Sequence, residues 1–151
     1  MAVSDAYNFR QVDNRLSTAG ILGETQLDEL GAEGYQAVIN LLPDDSPYAI
    51  AGERERVLDQ GLGYTHIPVD FSAPTAEDYD AFVMAMRAAG DRKLMVHCAA
   101  NYRVSAFYAI YGVEHLGWSP AHAWDFIGAL WNIEEHPVWE SFVATRLGDG
   151  N

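Results

Sequence analysis

The stretch Lys93-Leu94-Met95-Val96-His97-Cys98-Ala99-Ala100-Asn101-Tyr102-Arg103-Val104-Ser105 decides the fold. Its apolar start reads as a buried strand that delivers Cys98, the only cysteine of the chain, to the strand's end. Ala106 to His115 reads as the helix that follows. The N–H groups at a helix start have no intrahelical partner, so they can cradle an anion and favour negative charge. The same charge preference stabilises a thiol there as thiolate. Nucleophile and anion pocket would then be one structure.

Outward from this stretch, apolar runs at Ala37 to Leu42, Tyr64 to Val69 and Lys93 to His97 read as buried strands, with an edge strand near Gln11 to Leu16. Helical patterns lie between them. Thr25-Gln26-Leu27-Asp28 and Thr75-Ala76-Glu77-Asp78 each place a hydroxyl three residues before an acid, the signature of a helix start. After the second, Tyr79, Phe82, Val83 and Met86 recur at spacings of three and four, giving one apolar face that Gly90 ends. Beyond Cys98 the pattern is helical throughout. Ser119-Pro120 supplies a cap and a first-turn proline, a last helix runs from about Pro137 to Leu147, and Gly148 to Asn151 reads as a mobile tail. Strands alternating with helices predict an α/β fold: a mostly parallel four- to five-stranded sheet flanked by helices, with a helical C-terminal region.

At 151 residues and 49% apolar, the chain is expected to form one domain over residues 1–151. No run approaches the roughly 18 apolar residues of a membrane span, and Met1-Ala2-Val3-Ser4-Asp5 lacks the pattern of a signal peptide. A cytoplasmic protein without membrane partners is expected. A formal charge of −13 argues against nucleic acid, whose binding needs Lys and Arg on phosphates. It also requires any phosphate site to be a local positive spot built from backbone N–H groups and a few arginines. A single cysteine excludes an internal disulfide, and His66, His115, His122 and His136 show no ligand spacing, so no metal site is expected. Trp118, Trp124, Trp131 and Trp139 read as packing of the helical C-terminal region. Arg54 and Arg56, with Glu53, Glu55 and Asp59, read as a solvated helix with surface pairing, and Asp44 and Asp45 after Pro43 as a turn.

The run His97-Cys98-Ala99-Ala100-Asn101-Tyr102-Arg103-Val104-Ser105 resembles the signature H-C-x-x-G-x-x-R-[ST] of the cysteine-dependent protein tyrosine and dual-specificity phosphatases. His97, Cys98 and Ser105 are in register. Asn101 holds the glycine position, where a left-handed backbone is expected and Asn is the best substitute. The arginine departs from the pattern: Arg103 comes one residue early and Val104 fills its slot, so either the loop is tighter or Arg103 points elsewhere. Ile67-Pro68-Val69-Asp70-Phe71-Ser72-Ala73-Pro74 is similar to the loop that carries the general acid in that superfamily, with Asp70 as the acid. Nearer still is the bacterial phosphatase-like domain of beta-lactamase-hydrolase-like proteins, in which an opening such as Arg15-Leu16-Ser17-Thr18-Ala19-Gly20 precedes a helix and then a strand like Ala37-Val38-Ile39-Asn40-Leu41. The similarity spans roughly residues 10 to 117.

This resemblance implies a phosphatase-like fold and a phosphoester hydrolase without metal or organic cofactor, acting on a phosphorylated protein or small molecule. Cys98 would attack phosphorus. Backbone N–H groups of Ala99, Ala100, Asn101, Tyr102, Arg103 and Val104, with the Arg103 side chain, would hold the oxygens. His97 would tune Cys98 from behind, and Ser105 would assist departure of the thiolate. Two other functions compete: a non-catalytic phosphate or phosphoprotein binder, suggested by Val104 and the net charge, and a rhodanese-type sulfurtransferase with a loop persulfide. The alternative for Asp70 is a turn residue bonding its own backbone.

Overall fold

A computed structural model describes residues 2–147. Five strands form one sheet: β1 (Arg10–Gln11), β2 (Leu16–Ala19), β3 (Ala37–Asn40), β4 (Gly63–His66) and β5 (Leu94–His97), in the order β1-β2-β5-β3-β4. β5 lies between two parallel neighbours, with Leu94 opposite both Leu16 and Ala37, and His97 opposite both Ala19 and Asn40. β4 is parallel to β3, and β1 is antiparallel to β2. This central position explains the apolar run of β5, since a strand covered on both faces has no wet side to alternate with. All four of its residues are buried.

Helices cover both faces. With α1 (Glu24–Glu29) and α2 (Glu53–Leu58), Val38 and Met95 share a core with Leu27 and Val57. Leu94 and Val96 face a larger core that includes residues of α3 (Ala76–Ala89), α4 (Tyr102–His115), α5 (Pro120–Gly128) and α6 (Pro137–Leu147). Trp131 and Trp139 are buried in that core. Burying a large apolar side chain contributes about 1.5–3 kcal/mol.

Three helices begin where the sequence predicts. Thr75 Oγ1 accepts from Asp78 N and Asp78 Oδ2 from Thr75 N, so α3 starts in a closed capping box and stops at Gly90, φ 58°. Ser119 caps α5 through His122 N, with Pro120 in the first turn, and α6 starts at Pro137.

Elsewhere the chain differs from expectation. The edge strand near Gln11 to Leu16 is two strands, because Asp13 Oδ1 accepts from the N–H groups of Arg15 and Leu16 and turns the chain back on itself. β2 therefore lies inside the sheet, and of these two strands only β1 is at an edge. Helix α1 is capped by Gly23 rather than Thr25: Gln26 Oε1 reaches back to Gly23 N at 2.8 Å, and Thr25 sits exposed in the first turn. Helix α4 begins at Tyr102, well before Ala106, because Ser105 N bonds back to Asn101 O at 3.0 Å and closes a turn there. The tail from Gly148 to Asn151 lies outside the described residues. Among those described, no helix is long and apolar enough to cross a membrane.

Candidate active site

Side chains alternate along β5, so His97 shares the face of Met95 while Cys98 turns to the opposite side. Cys98 N still donates to Ala19 O at 3.2 Å, so the sheet ladder runs up to the cysteine. The chain then leaves the sheet, and its next three carbonyls are each held from outside. His97 Nδ1 faces Cys98 O at 3.4 Å, Ile21 N donates to Ala99 O at 2.8 Å, and Asn8 Nδ2 donates to Ala100 O at 2.9 Å. A peptide unit is planar and trans, so its C=O and the following N–H point in opposite directions. Anchoring these three carbonyls turns the N–H groups of Ala99, Ala100 and Asn101 away from the anchors. Tyr102, Arg103 and Val104 add the partnerless N–H groups of the first turn of α4.

Asn101 makes this bend. It is left-handed at φ 69° and fully buried, and its Nδ2 donates to both Asn8 O and Thr18 Oγ1 at 2.9 Å. Asn8 and Asn101 thus bind each other's segments reciprocally, Asn8 being left-handed as well at φ 51°. Gly20 supports the loop from behind. A Cβ there would lie 2.5 Å from Ala99 O, 2.9 Å from Ala100 Cα and 3.0 Å from Tyr7 O. No side chain fits between β2 and this loop.

Arg103 stands at the mouth. It lines a cavity of about 460 Å³ with Asp45, Ser46, Pro68, Asp70 and Phe71, and an adjoining one of about 260 Å³ with Ala99, Ala100, Tyr48, Tyr102 and His136. Its guanidinium carbon lies 5.1 Å from the Phe71 ring centre. Among the described residues the guanidinium has no hydrogen-bond or ion-pair partner, and its Nε is buried. A buried donor left without a partner costs about 1–3 kcal/mol. Val104, in the slot where the signature has arginine, is fully buried in the core. One step along a helix rotates a side chain by about 100°, and here that step separates the core face from the cavity.

Asp70 is exposed at the same cavity. Its Oδ1 accepts from Ser72 N at 2.8 Å, while its other oxygen has no partner among the described residues. Ser105 is fully buried; its hydroxyl donates to Tyr102 O at 3.1 Å and accepts from Trp131 Nε1 at 2.9 Å. Trp131 stacks on Tyr102 with ring centres 4.3 Å apart, and Trp139 Nε1 donates to Phe71 O at 2.7 Å, tying the Asp70 loop to α6. Cys98 is itself fully buried, next to the cavity-lining Ala99 and Ala100. A larger groove of about 730 Å³ lies between α5 and α6 and includes neither Cys98 nor its loop. Among the described residues no three His, Cys, Asp or Glu side chains are grouped to hold a metal ion.

Glu53 departs from its sequence reading. Instead of a solvated helix position it is buried, with Oε2 2.6 Å from His97 Nε2. Arg56 of the same helix does pair at the surface, with Glu24 and Asp28. The distinction is one of direction: Glu53 opens α2 after a left-handed Gly52 and points at the sheet. An acid among charges carries no sequence signal of that. Asn8, Gly20, Thr18 and Trp131 likewise support the loop from distant positions and carry no local mark of a site, although Asn8-Phe9 shows a turn-forming Asn before a strand.

The family model for "Beta-lactamase hydrolase-like protein, phosphatase-like domain" matches residues 8–114, most of the chain and the whole of the loop just described. The chain belongs to this family. Its phosphatase-like domain superposes on a solved structure from Shewanella putrefaciens CN-32, described as "Putative phosphatase", with a TM-score of 0.82 and 32% identity over 97% of each chain. More distant structures share the fold. TpbA of P. aeruginosa, solved in complex with pTyr, gives a TM-score of 0.73 at 16% identity, over 95% of this chain and 85% of that one. The core catalytic domain of the PP-IP phosphatase SIW14 of S. cerevisiae gives 0.76 at 11% identity, over 95% and 88%. No curated protein sequence matches the chain significantly.

Proposed function

We propose that this phosphatase-like domain hydrolyses phosphate monoesters through a phosphocysteine intermediate on Cys98. The observation that carries the reading is the unpartnered guanidinium of Arg103, with its buried Nε, beside a loop whose three carbonyls are all anchored outward. A phosphate group would give Arg103 its missing acceptor and meet the loop's N–H groups together. The 32% identical S. putrefaciens structure and the family match support the same reaction class.

In the first step the Cys98 thiolate attacks phosphorus. The S–P bond forms as the P–O bond to the leaving group breaks, and the Asp70 carboxyl gives its proton to the departing oxygen. In the second, the Asp70 carboxylate takes a proton from water as its oxygen bonds phosphorus. The S–P bond breaks and inorganic phosphate leaves. Backbone N–H groups of residues 99–104 and the Arg103 fork stabilise the charge on the equatorial oxygens, and in phosphoryl transfer such charge stabilisation lowers the barrier more than any other effect. Ser105 would assist the departing thiolate by turning its hydroxyl from Tyr102 O. Because Cys98 is fully buried, engagement of substrate requires the side chains above it to part. No step requires a metal ion or organic cofactor. Arg103 is the one cationic side chain among the cavity residues and Asp45 and Asp70 are acidic, an arrangement that suits a single phosphate group better than a polyanion.

The test is turnover of p-nitrophenyl phosphate in the presence of a chelator. Activity is expected from the native chain, with vanadate as an inhibitor that mimics five-coordinate phosphorus. None is expected from a folded Cys98→Ser variant. Equal rates for both would overturn the reaction. Phosphate binding without turnover in the native chain would favour the non-catalytic binder.

A further inference from the structure

We infer that Glu53 is a positioning residue of this site, holding His97 as the doubly protonated imidazolium and, through it, the Cys98–Ala99 peptide in the orientation that turns the Ala99 N–H into the cradle. This role rests on the loop being an oxyanion cradle, as proposed above. It adds a residue from the far face of the sheet, on a helix that contributes nothing else to the loop.

With Glu53 as its carboxylate, the hydrogen-bond roles set the protonation of the ring. Glu53 Oε2 is 2.6 Å from His97 Nε2, a charge-assisted length, and both side chains are buried. The second ring nitrogen, Nδ1, faces Cys98 O at 3.4 Å. A carbonyl oxygen only accepts, and so does a carboxylate. A histidine flanked by two acceptors satisfies both only if both ring nitrogens carry hydrogen, which makes it a cation. The pair then has no net charge, which allows it to be buried. Among the described residues no other cation pairs with Glu53: Arg56, one turn on, is committed to Glu24 and Asp28, and Arg54 is exposed. Tyr64 stands beside the carboxylate and receives a hydrogen bond from Asn40 Nδ2; burial first, and then the nearby carboxylate, keep its phenol neutral.

The consequence is directional. A neutral imidazole protonated only on Nε2 would present a lone pair to Cys98 O, and the repulsion would let that peptide rotate. Its partner N–H, on Ala99, would rotate with it out of the cradle. Glu53 therefore acts at one remove on the first N–H that a substrate oxygen would meet after the sulfur.

Two measurements test this without a phosphate ester, so a failure here is distinguishable from a failure of the phosphatase reading. In ¹⁵N-histidine-labelled native protein near pH 7, His97 should show both ring nitrogens protonated, whereas folded Glu53→Gln should show one. A singly protonated His97 in the native chain, the result expected if the shared proton resides on Glu53, overturns the inference even if no variant folds. In parallel, iodoacetamide alkylation of Cys98, unambiguous in a chain with one cysteine, should slow about tenfold in Glu53→Gln, the scale of losing one charge-assisted hydrogen bond. Glu53→Gln should add nothing further to His97→Asn, since Glu53 acts through His97. Unchanged alkylation in a folded Glu53→Gln, or equal slowing with and without His97, would overturn it as well.

Discussion

Replacing Gly20 by alanine adds one methyl group behind the loop, and the structure gives the size of the disturbance. The new Cβ would sit 2.5 Å from Ala99 O, about 0.9 Å short of ordinary contact, and its next neighbours are also backbone atoms, Ala100 Cα and Tyr7 O. Backbone cannot swing aside as a side chain end can. Because Ala99 O is bonded to Ile21 N and Ala100 O to Asn8 Nδ2, relief requires the Ala99–Ala100 segment to move toward the cavity by most of that shortfall. Overpacking of this kind costs about 1–3 kcal/mol, and for a chain of this size each kcal/mol lowers Tm by about 2–4 °C. The effect on turnover should be larger than this suggests. A displacement approaching 1 Å in positioning groups can cost about 10²-fold in rate. The expected outcome is a folded Gly20→Ala variant with kcat toward p-nitrophenyl phosphate reduced about 10²-fold. Gly128→Ala is the control: apart from its chain neighbours and its own helix backbone nothing lies within 4 Å of that Cβ, so it should leave kcat unchanged and gain a few tenths of a kcal/mol in helix stability. A Gly20→Ala enzyme with native kcat would refute the assignment of residues 99–101 as the cradle.

Asp70→Asn should slow alkyl phosphates, which have poor leaving groups, by about 10²- to 10⁴-fold while leaving activated aryl esters much less affected; equal losses for the two classes would make Asp70 a turn residue. Arg103→Lys should lose most vanadate affinity and most turnover, because an ammonium lacks the planar fork that bonds two oxygens at once; undiminished vanadate binding by Arg103→Ala would remove the arginine from the site. Burial pushes the Tyr108 phenol up to about 12 and raises those of Tyr35, Tyr64 and Tyr79. The fold favours the neutral phenols, so their contribution is intact below pH 10, where the unfolded chain begins to ionise, and is lost as pH rises toward 12 and beyond. The share of the 295 nm absorbance that belongs to these four phenols should therefore appear only as circular dichroism is lost above pH 10, and ionisation of all eight phenols of the chain near pH 10 with an intact fold would contradict it.

The sheet and the loop were legible for different reasons. Apolar runs marked β3 and β5 because parallel strands buried on both faces leave no polar alternation; β4 is an edge strand that ends at His66, half-buried to exposed, so the buried strand expected over Tyr64 to Val69 is shorter and wetter than its sequence suggests. Thr75 with Asp78 marked α3 because a capping box is contained in four residues. β2 was obscure because its register depends on Asp13 turning the chain, and one Asx turn in a polar stretch resembles any other loop. The cysteine, the left-handed Asn101 and Arg103 stood together in one short run. The groups that orient them do not. Asn8, Gly20, Glu53 and Trp131 are each assigned only by the direction in which the folded backbone points them, and local sequence holds no record of that direction.

The reciprocal bonds between Asn8 and the segment from Ala100 to Asn101 span more than ninety residues of chain. Contacts so distant in sequence form late, since a long loop must close before they contribute. The strand that carries Cys98 can join the sheet earlier, but the cradle takes its shape only when both ends of that span have come together. The bond from Trp131 Nε1 to the Ser105 hydroxyl closes a span of only 26 residues, so it does not set that timing. The proposed cradle should thus be a property of the finished fold, acquired late in place of a gradual gain during synthesis. In a refolding experiment, vanadate binding should lag behind the return of helical circular dichroism, and the length of that lag would time the closing of the chain upon itself.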